Sequence, residues 1–139
     1  MKLKHLLYLL VACAFVVPAI SEEDTPLSKE MDKLNKAIKF VKRNLADAAK
    51  KDATLEKLAD AKGACGAAVK FEPAKTKEIP EADRAKFVSD FKAGMEEVGK
   101  KLDALKAAVE TGKTDEARAI LDKLDSGKKE GHKKFKTED

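Results

Sequence analysis

Within residues 22–139 the sequence holds one histidine, His132, two methionines, Met31 and Met95, and one cysteine, Cys65. An imidazole nitrogen and a thioether sulfur together can fill the two axial positions of a haem iron. Such a pair favours the reduced iron relative to two histidines. It also leaves no position for oxygen or a substrate, so the iron can only change oxidation state. The chemistry offered by His132 and a methionine is one-electron transfer. Other constellations are missing. Cys65, Met95 and one histidine are too few to close a zinc or copper site, and Cys65 reads as a small buried apolar side chain. No second histidine stands ready as a base for Cys65 or a serine, and the glycines form no phosphate loop. The chain is not expected to be an enzyme.

Four elements must position such a pair. Thr25 is a good N-cap, with Pro26 at the first helical position, where its missing N–H costs nothing. Leu27, Met31, Leu34, Ile38, Val41, Leu45 and Ala48 follow at gaps of four and three, one stripe of a helix. Asp52 can cap a second helix carrying Leu55, Leu58, Cys65, Ala68 and Val69. Its later part, from Gly63 to Ala68, is made of small residues. Glu72 to Ile79 reads as the longest loop. Pro80 opens a third helix through Val109, with Phe87, Phe91, Met95, Val98, Leu102, Leu105 and Val109 on its stripe. Thr111-Gly112 ends it, glycine being preferred just past a helix. Thr114 caps a fourth, whose stripe is Ala117, Leu121, Leu124, Lys128, His132 and Phe135.

Short connections make successive helices antiparallel neighbours. The predicted fold is all-α, an antiparallel up-down-up-down four-helix bundle. Met31 then lies about one turn inside the first helix and His132 about one turn inside the end of the fourth, at the same end of the bundle and at similar depth. Phe71, Phe87 and Phe91 gather there, as do the small residues of the second helix and Gly127 and Gly131. Phenylalanines wall a flat apolar cofactor, and small residues leave it room. Lys128 and Lys136 lie one turn either side of His132, where they can pair with haem propionates or steer an acidic partner. A solvated lysine face is the plainer reading of these and of Lys129, Lys133 and Lys134.

Bulk properties fit one domain in a chain of 139 residues. Lys2 and Lys4, the apolar run Leu6–Val17 and the small residues before Glu22 make a secretory signal peptide over 1–21, followed by the bundle domain over 22–139. Cleavage after Ala19 and after Ser21 are both open. Leu10-Val11-Ala12-Cys13 also fits a lipoprotein box, a lesser alternative because apolar residues continue beyond Cys13. The apolar run is too short to span a bilayer, so no membrane span is expected after cleavage. Of 29 basic residues, all but Lys2 and Lys4 follow Ser21, leaving 27 against 25 acidic ones. That near balance gives no footprint for nucleic acid. One cysteine after the leader excludes an intramolecular disulfide.

The chain resembles the soluble cytochrome b562 family. Glu30-Met31-Asp32-Lys33-Leu34-Asn35 is similar to that family's opening helix, whose early methionine ligates iron. Phe87-x-x-x-Phe91 is similar to a phenylalanine pair lining its haem pocket. The turn Gly112-Lys113-Thr114-Asp115-Glu116-Ala117 and the run to Gly131-His132-Lys133-Lys134-Phe135 resemble the rest, with His132 in the place of the second ligand. Lys128 and Lys136 stand where relatives carry arginine and another basic residue, which keeps charge but loses planar hydrogen bonding. Gly131 replaces a larger residue. Lys128 and Gly131 occupy the places where c-type relatives carry the cysteines of Cys-x-x-Cys-His. The resemblance therefore implies one noncovalent haem b, with Met31 and His132 on the iron and Phe87, Phe91, Lys128 and Lys136 around it. It implies a monomeric periplasmic electron carrier with an unidentified redox partner protein. The alternative is a haem-free periplasmic bundle acting as a binding or interaction module, since bundles of this kind can lack one or both ligands.

Overall fold

A computed structural model of the chain describes residues 24–137. The leader expected over 1–21, its two cleavage points and Cys13 lie outside them. Four α-helices carry the described residues: α1 (Pro26–Asn44), α2 (Lys51–Ala68), α3 (Glu81–Glu110) and α4 (Thr114–Phe135). They run up, down, up and down, as the stripes predict. α1 packs along α2, α2 along α3 and α3 along α4, while α1 and α4 meet at far fewer places than these sequential neighbours.

α1 begins where its sequence says it should. Thr25 is extended, and its hydroxyl accepts a hydrogen bond from the Ser28 N–H at 3.1 Å, with Pro26 in the first turn. Its end comes earlier than the apolar stripe suggests. Asp47 turns extended, and its carboxylate accepts from the Ala49 N–H at 3.0 Å, capping a 3-10 turn over Ala48–Lys50 that runs straight into α2. A short acidic side chain that bonds the nearby backbone competes with continued helix. The expected cap at Asp52 is therefore corrected. Asp47 caps this approach upstream, and Asp52 sits in the first turn of α2, where its charge suits the helix dipole.

The junction between α3 and α4 is a Schellman turn. Gly112 has φ +71°, the Lys113 N–H bonds the Ala108 carbonyl at 2.8 Å, and the Gly112 N–H bonds that of Val109 at 3.2 Å. This turn fixes the chain so tightly that α4 starts at its expected cap residue, one residue earlier than the sequence suggests. Thr114 is already helical and Lys113, without a side-chain cap, takes the N-cap place. The loop predicted over Glu72–Ile79 holds a 3-10 turn of its own, Ala74–Glu78. Arg84 pins it by donating to the carbonyls of Ile79 and Lys77 at 2.9 and 3.2 Å.

The core runs along the bundle through Leu34 and Val41 of α1, Leu58 and Cys65 of α2, Leu102 and Leu105 of α3, and Leu121 and Leu124 of α4. α2 contributes mostly small side chains, with Ala61, Ala64 and Ala68 buried, so its neighbours come close. No helix among the described residues is long and apolar enough to cross a membrane.

Candidate functional site

Met31 stands in the second turn of α1, half-buried, packed against the core beside Leu27. His132 stands in the last turn of α4 and is exposed. The stripe that carries His132 changes character along the helix. Ala117, Leu121 and Leu124 are buried, Lys128 and His132 are exposed, and Phe135 is half-buried. The expected core-facing position of His132 is thus corrected to a place at the rim of the bundle. The reason is that Leu124 is the last residue of α4 whose side chain the other helices enclose.

The two candidate ligands do share one end. The ion pair between Lys42 of α1 and Asp125 of α4 ties these helices together and gives them a common level. From there Met31 lies about 16 Å back along α1 and His132 about 10 Å on along α4, at about 1.5 Å per residue. The difference is about one helical turn.

Three phenylalanines close the same end. Phe87 and Phe91 of α3 are buried, at 9% and 6% exposure. The ring of Phe135 stands 5.2 Å from that of Phe87, tilted, and 5.4 Å from that of Phe91, edge to face. Each such pair is worth about 0.5–1.5 kcal/mol beyond its burial. Phe135 thus seats the last turn of α4 on α3. Phe71, expected nearby at the end of α2, follows that helix and is half-buried.

An ion pair lies beside the rings. Lys134 donates to the Asp90 carboxylate at 2.9 Å, Lys86 donates to it at 2.8 Å, and the Lys134 ammonium sits 5.2 Å over the Phe135 ring. The hydrogen bond from Lys134, then that from Lys86, holds the Asp90 carboxyl down to about 2. Sequence reasoning did not single out Asp90. Its only signal is Lys86 four residues before it, and its partner on α4 is visible only once the helices are docked.

The small residues divide into two groups. Ala64, Cys65 and Ala68 face inward, whereas Gly63 and Gly66 are exposed and make no room inside the bundle. Gly127 and Gly131 are half-buried, and a Cβ on either would meet nothing within 4 Å. Lys128 and Lys136 are exposed, and neither forms an ion pair among the described residues. The Lys136 backbone N–H bonds the His132 carbonyl at 3.0 Å, closing the helix end.

Elsewhere the structure offers less chemistry. Cys65 is buried, its thiol donates to the Met95 carbonyl at 3.2 Å, and burial pushes its ionisation upward, which suits packing and not reactivity. No group of three or more His, Cys, Asp or Glu side chains that could hold a metal ion occurs among the described residues. Two clefts open at the opposite end. One of about 320 Å³ lies between Lys42, Arg43, Leu45, Arg118 and Asp122. The other, of about 160 Å³, is lined by Leu45, Thr54, Ala108 and Val109. Neither contains a soft ligand. The donor chemistry points to the Met31 and His132 end in preference to the larger clefts. A thioether on α1, an imidazole on α4 and the phenylalanines of α3 are the residue types that could hold a flat apolar macrocycle with a central iron.

The family model described as Cytochrome b562 matches residues 26–136. No curated protein matches the chain, and no solved structure matches it.

Proposed function

The chain belongs to the cytochrome b562 family of haem-binding electron carriers, and from that premise we propose that it is a periplasmic electron-transfer protein holding one noncovalent haem b through Met31 and His132. The observation that carries this reading is the presence of one thioether and one imidazole on α1 and α4 at a common end, beside the Phe87 and Phe91 wall. The periplasmic assignment rests on the leader-like segment over 1–21 and on the usual place of the family.

When bound, haem supplies a one-electron ferric–ferrous couple. Met31 and His132 would hold the iron, and with both donors supplied by the chain the group would serve electron transfer in preference to binding oxygen or a substrate. The neutral sulfur of Met31 would favour the ferrous state, because it would compensate the ferric charge less well than a second imidazole. Phe87 and Phe91 exclude water from the same side, and a drier surrounding also disfavours the extra positive charge of the oxidised centre. Lys128 and Lys136 would meet the propionates at the rim and offset their charge. The protein would work as a monomer and exchange electrons with a redox partner protein still to be identified.

A second reading is a haem-free bundle serving as a binding or interaction module. The exposure of His132 and the seating of Phe135 on Phe87 and Phe91 favour it, because both complete that end without a cofactor. A haemin titration followed by absorption spectroscopy separates the two. Sharp low-spin bands on dithionite reduction, saturating at one haem per chain, are expected. A featureless titration overturns the haem reading and leaves the interaction module.

A further inference from the structure

We infer that Phe135 and Asp90 are positioning residues for His132, clamping the last turns of α4 onto α3. The consequence for iron ligation rests on the haem reading above. The clamp itself concerns only the residues of this chain.

Between Leu124 and Phe135, α4 buries no side chain. This stretch is also a poor helix by itself. Gly127 and Gly131 lower its propensity, and Lys129 and Lys133 stand four residues apart with like charge. A terminal stretch of this kind frays unless tertiary contacts hold it. The aromatic and ionic contacts of this stretch to α3 meet at one place. The Phe135 ring lies 5.2 Å from Phe87 and 5.4 Å from Phe91, and Lys134 reaches Asp90 at 2.9 Å. Lys86, on the same helix as Asp90, holds that carboxylate from the other side at 2.8 Å. The Lys134 ammonium over the Phe135 ring joins the ionic and aromatic anchors. His132 comes two residues before Lys134 and three before Phe135, so the direction of its imidazole follows from how this turn is docked. Without the anchors, the histidine would sit on a fraying end and spend little time at the level of Met31.

The test compares Phe135→Ala, Asp90→Ala, Asp90→Glu and, as a control elsewhere, Lys62→Ala, whose ion pair with Asp103 joins α2 to α3. The first readout is amide hydrogen exchange of residues 129–135 in the haem-free protein. Phe135→Ala is expected to lower protection there roughly tenfold or more, Asp90→Ala by about two- to threefold, with recovery in Asp90→Glu and no change in Lys62→Ala. The second readout is the rate at which haemin leaves the loaded protein for excess apomyoglobin, which is expected to rise in the same order. Unchanged exchange over 129–135 in both Phe135→Ala and Asp90→Ala overturns the clamp, whatever the protein does with haem. Loosened exchange with an unaltered haemin release rate overturns its role in positioning His132. If the wild-type chain takes up no haemin while the variants still loosen the turn, the clamp stands and only the haem reading falls. Should Phe135→Ala fail to fold by circular dichroism, the contrast between Asp90→Ala and Asp90→Glu decides.

Discussion

Asp90 of α3 and Lys134 of α4 are joined at 2.9 Å, two residues beyond His132 and one before Phe135. This contact crosses the α3–α4 seam at the end where Met31 also lies. A surface ion pair contributes little by itself. Its place beside the aromatic cluster makes it part of what fixes the terminal turn of α4.

Asp90 gives that contact a definite pH range. Its carboxyl is held at about 2, below the ordinary 3.8. A depressed folded-state pKa contributes stability above the unfolded-state pKa and loses it as pH falls through the folded value. The wild-type advantage over Asp90→Asn in urea unfolding should therefore be full at about pH 5 and above, shrink as pH falls below about 4, and disappear only below the folded value of about 2. A difference that grows on acidification would contradict this sign.

The two proposed ligands should behave differently when removed. His132→Ala is expected to lose nearly all haem binding. Met31→Ala should keep haem but become high-spin and open to small ligands. Absorption spectra of both variants, with carbon monoxide added to the reduced form, check this. A low-spin, six-coordinate spectrum in His132→Ala would sink the assignment of His132.

Two glycines respond in opposite directions to alanine. Gly112 has φ +71°, a conformation that costs an L-residue roughly 1–2 kcal/mol, so Gly112→Ala should destabilise by about that much. Gly63 is helical, exposed and has nothing within 4 Å of an added Cβ, so Gly63→Ala should stabilise by up to ~1 kcal/mol. Chemical denaturation of each variant measures the contrast.

The Thr54 hydroxyl is buried at 1% exposure, with no hydrogen-bond partner among the described residues. Replacing it with the isosteric Thr54→Val removes an unsatisfied polar group and should raise stability by about 1 kcal/mol. A loss of stability instead would mean that the hydroxyl bonds to water in the neighbouring cleft.

Cys65 is 3% exposed, and burial raises its thiol pKa. A water-soluble aromatic disulfide reagent should therefore modify it only as fast as the bundle unfolds. Rapid modification in native buffer would show that α2 and α3 open locally around it.

Much of this protein was legible in the order of its residues. Heptad-like gaps from Leu27 to Leu45 and from Phe87 to Val109 dictate amphipathic helices, and short connections leave little choice but to stack them antiparallel. Thr25-Pro26 and Gly112 mark helix ends because capping and left-handed backbone are local properties. The N-cap positions expected at Asp52 and Thr114 lie at Lys50 and Lys113, two residues and one residue earlier, since Asp47 and the Schellman turn bond the backbone first. That Met31 and His132 lie toward one end follows from topology alone.

Tertiary structure decided what periodicity cannot encode. A stripe says which residues face one way, but not how far the neighbouring helices extend to cover them. Lys128 and His132 share a stripe with Leu124, yet they are exposed because enclosure ends at Leu124, while Phe135 regains a partly buried seat by reaching Phe87 and Phe91. Asp90 gained its role only when α4 brought Lys134 to it. The sequence by itself determined the helices, their order and the residue types gathered at one end. Docking alone decided exposure and cross-helix partners, because both depend on side chains some 40 residues apart in the chain meeting at a distance that no local pattern specifies.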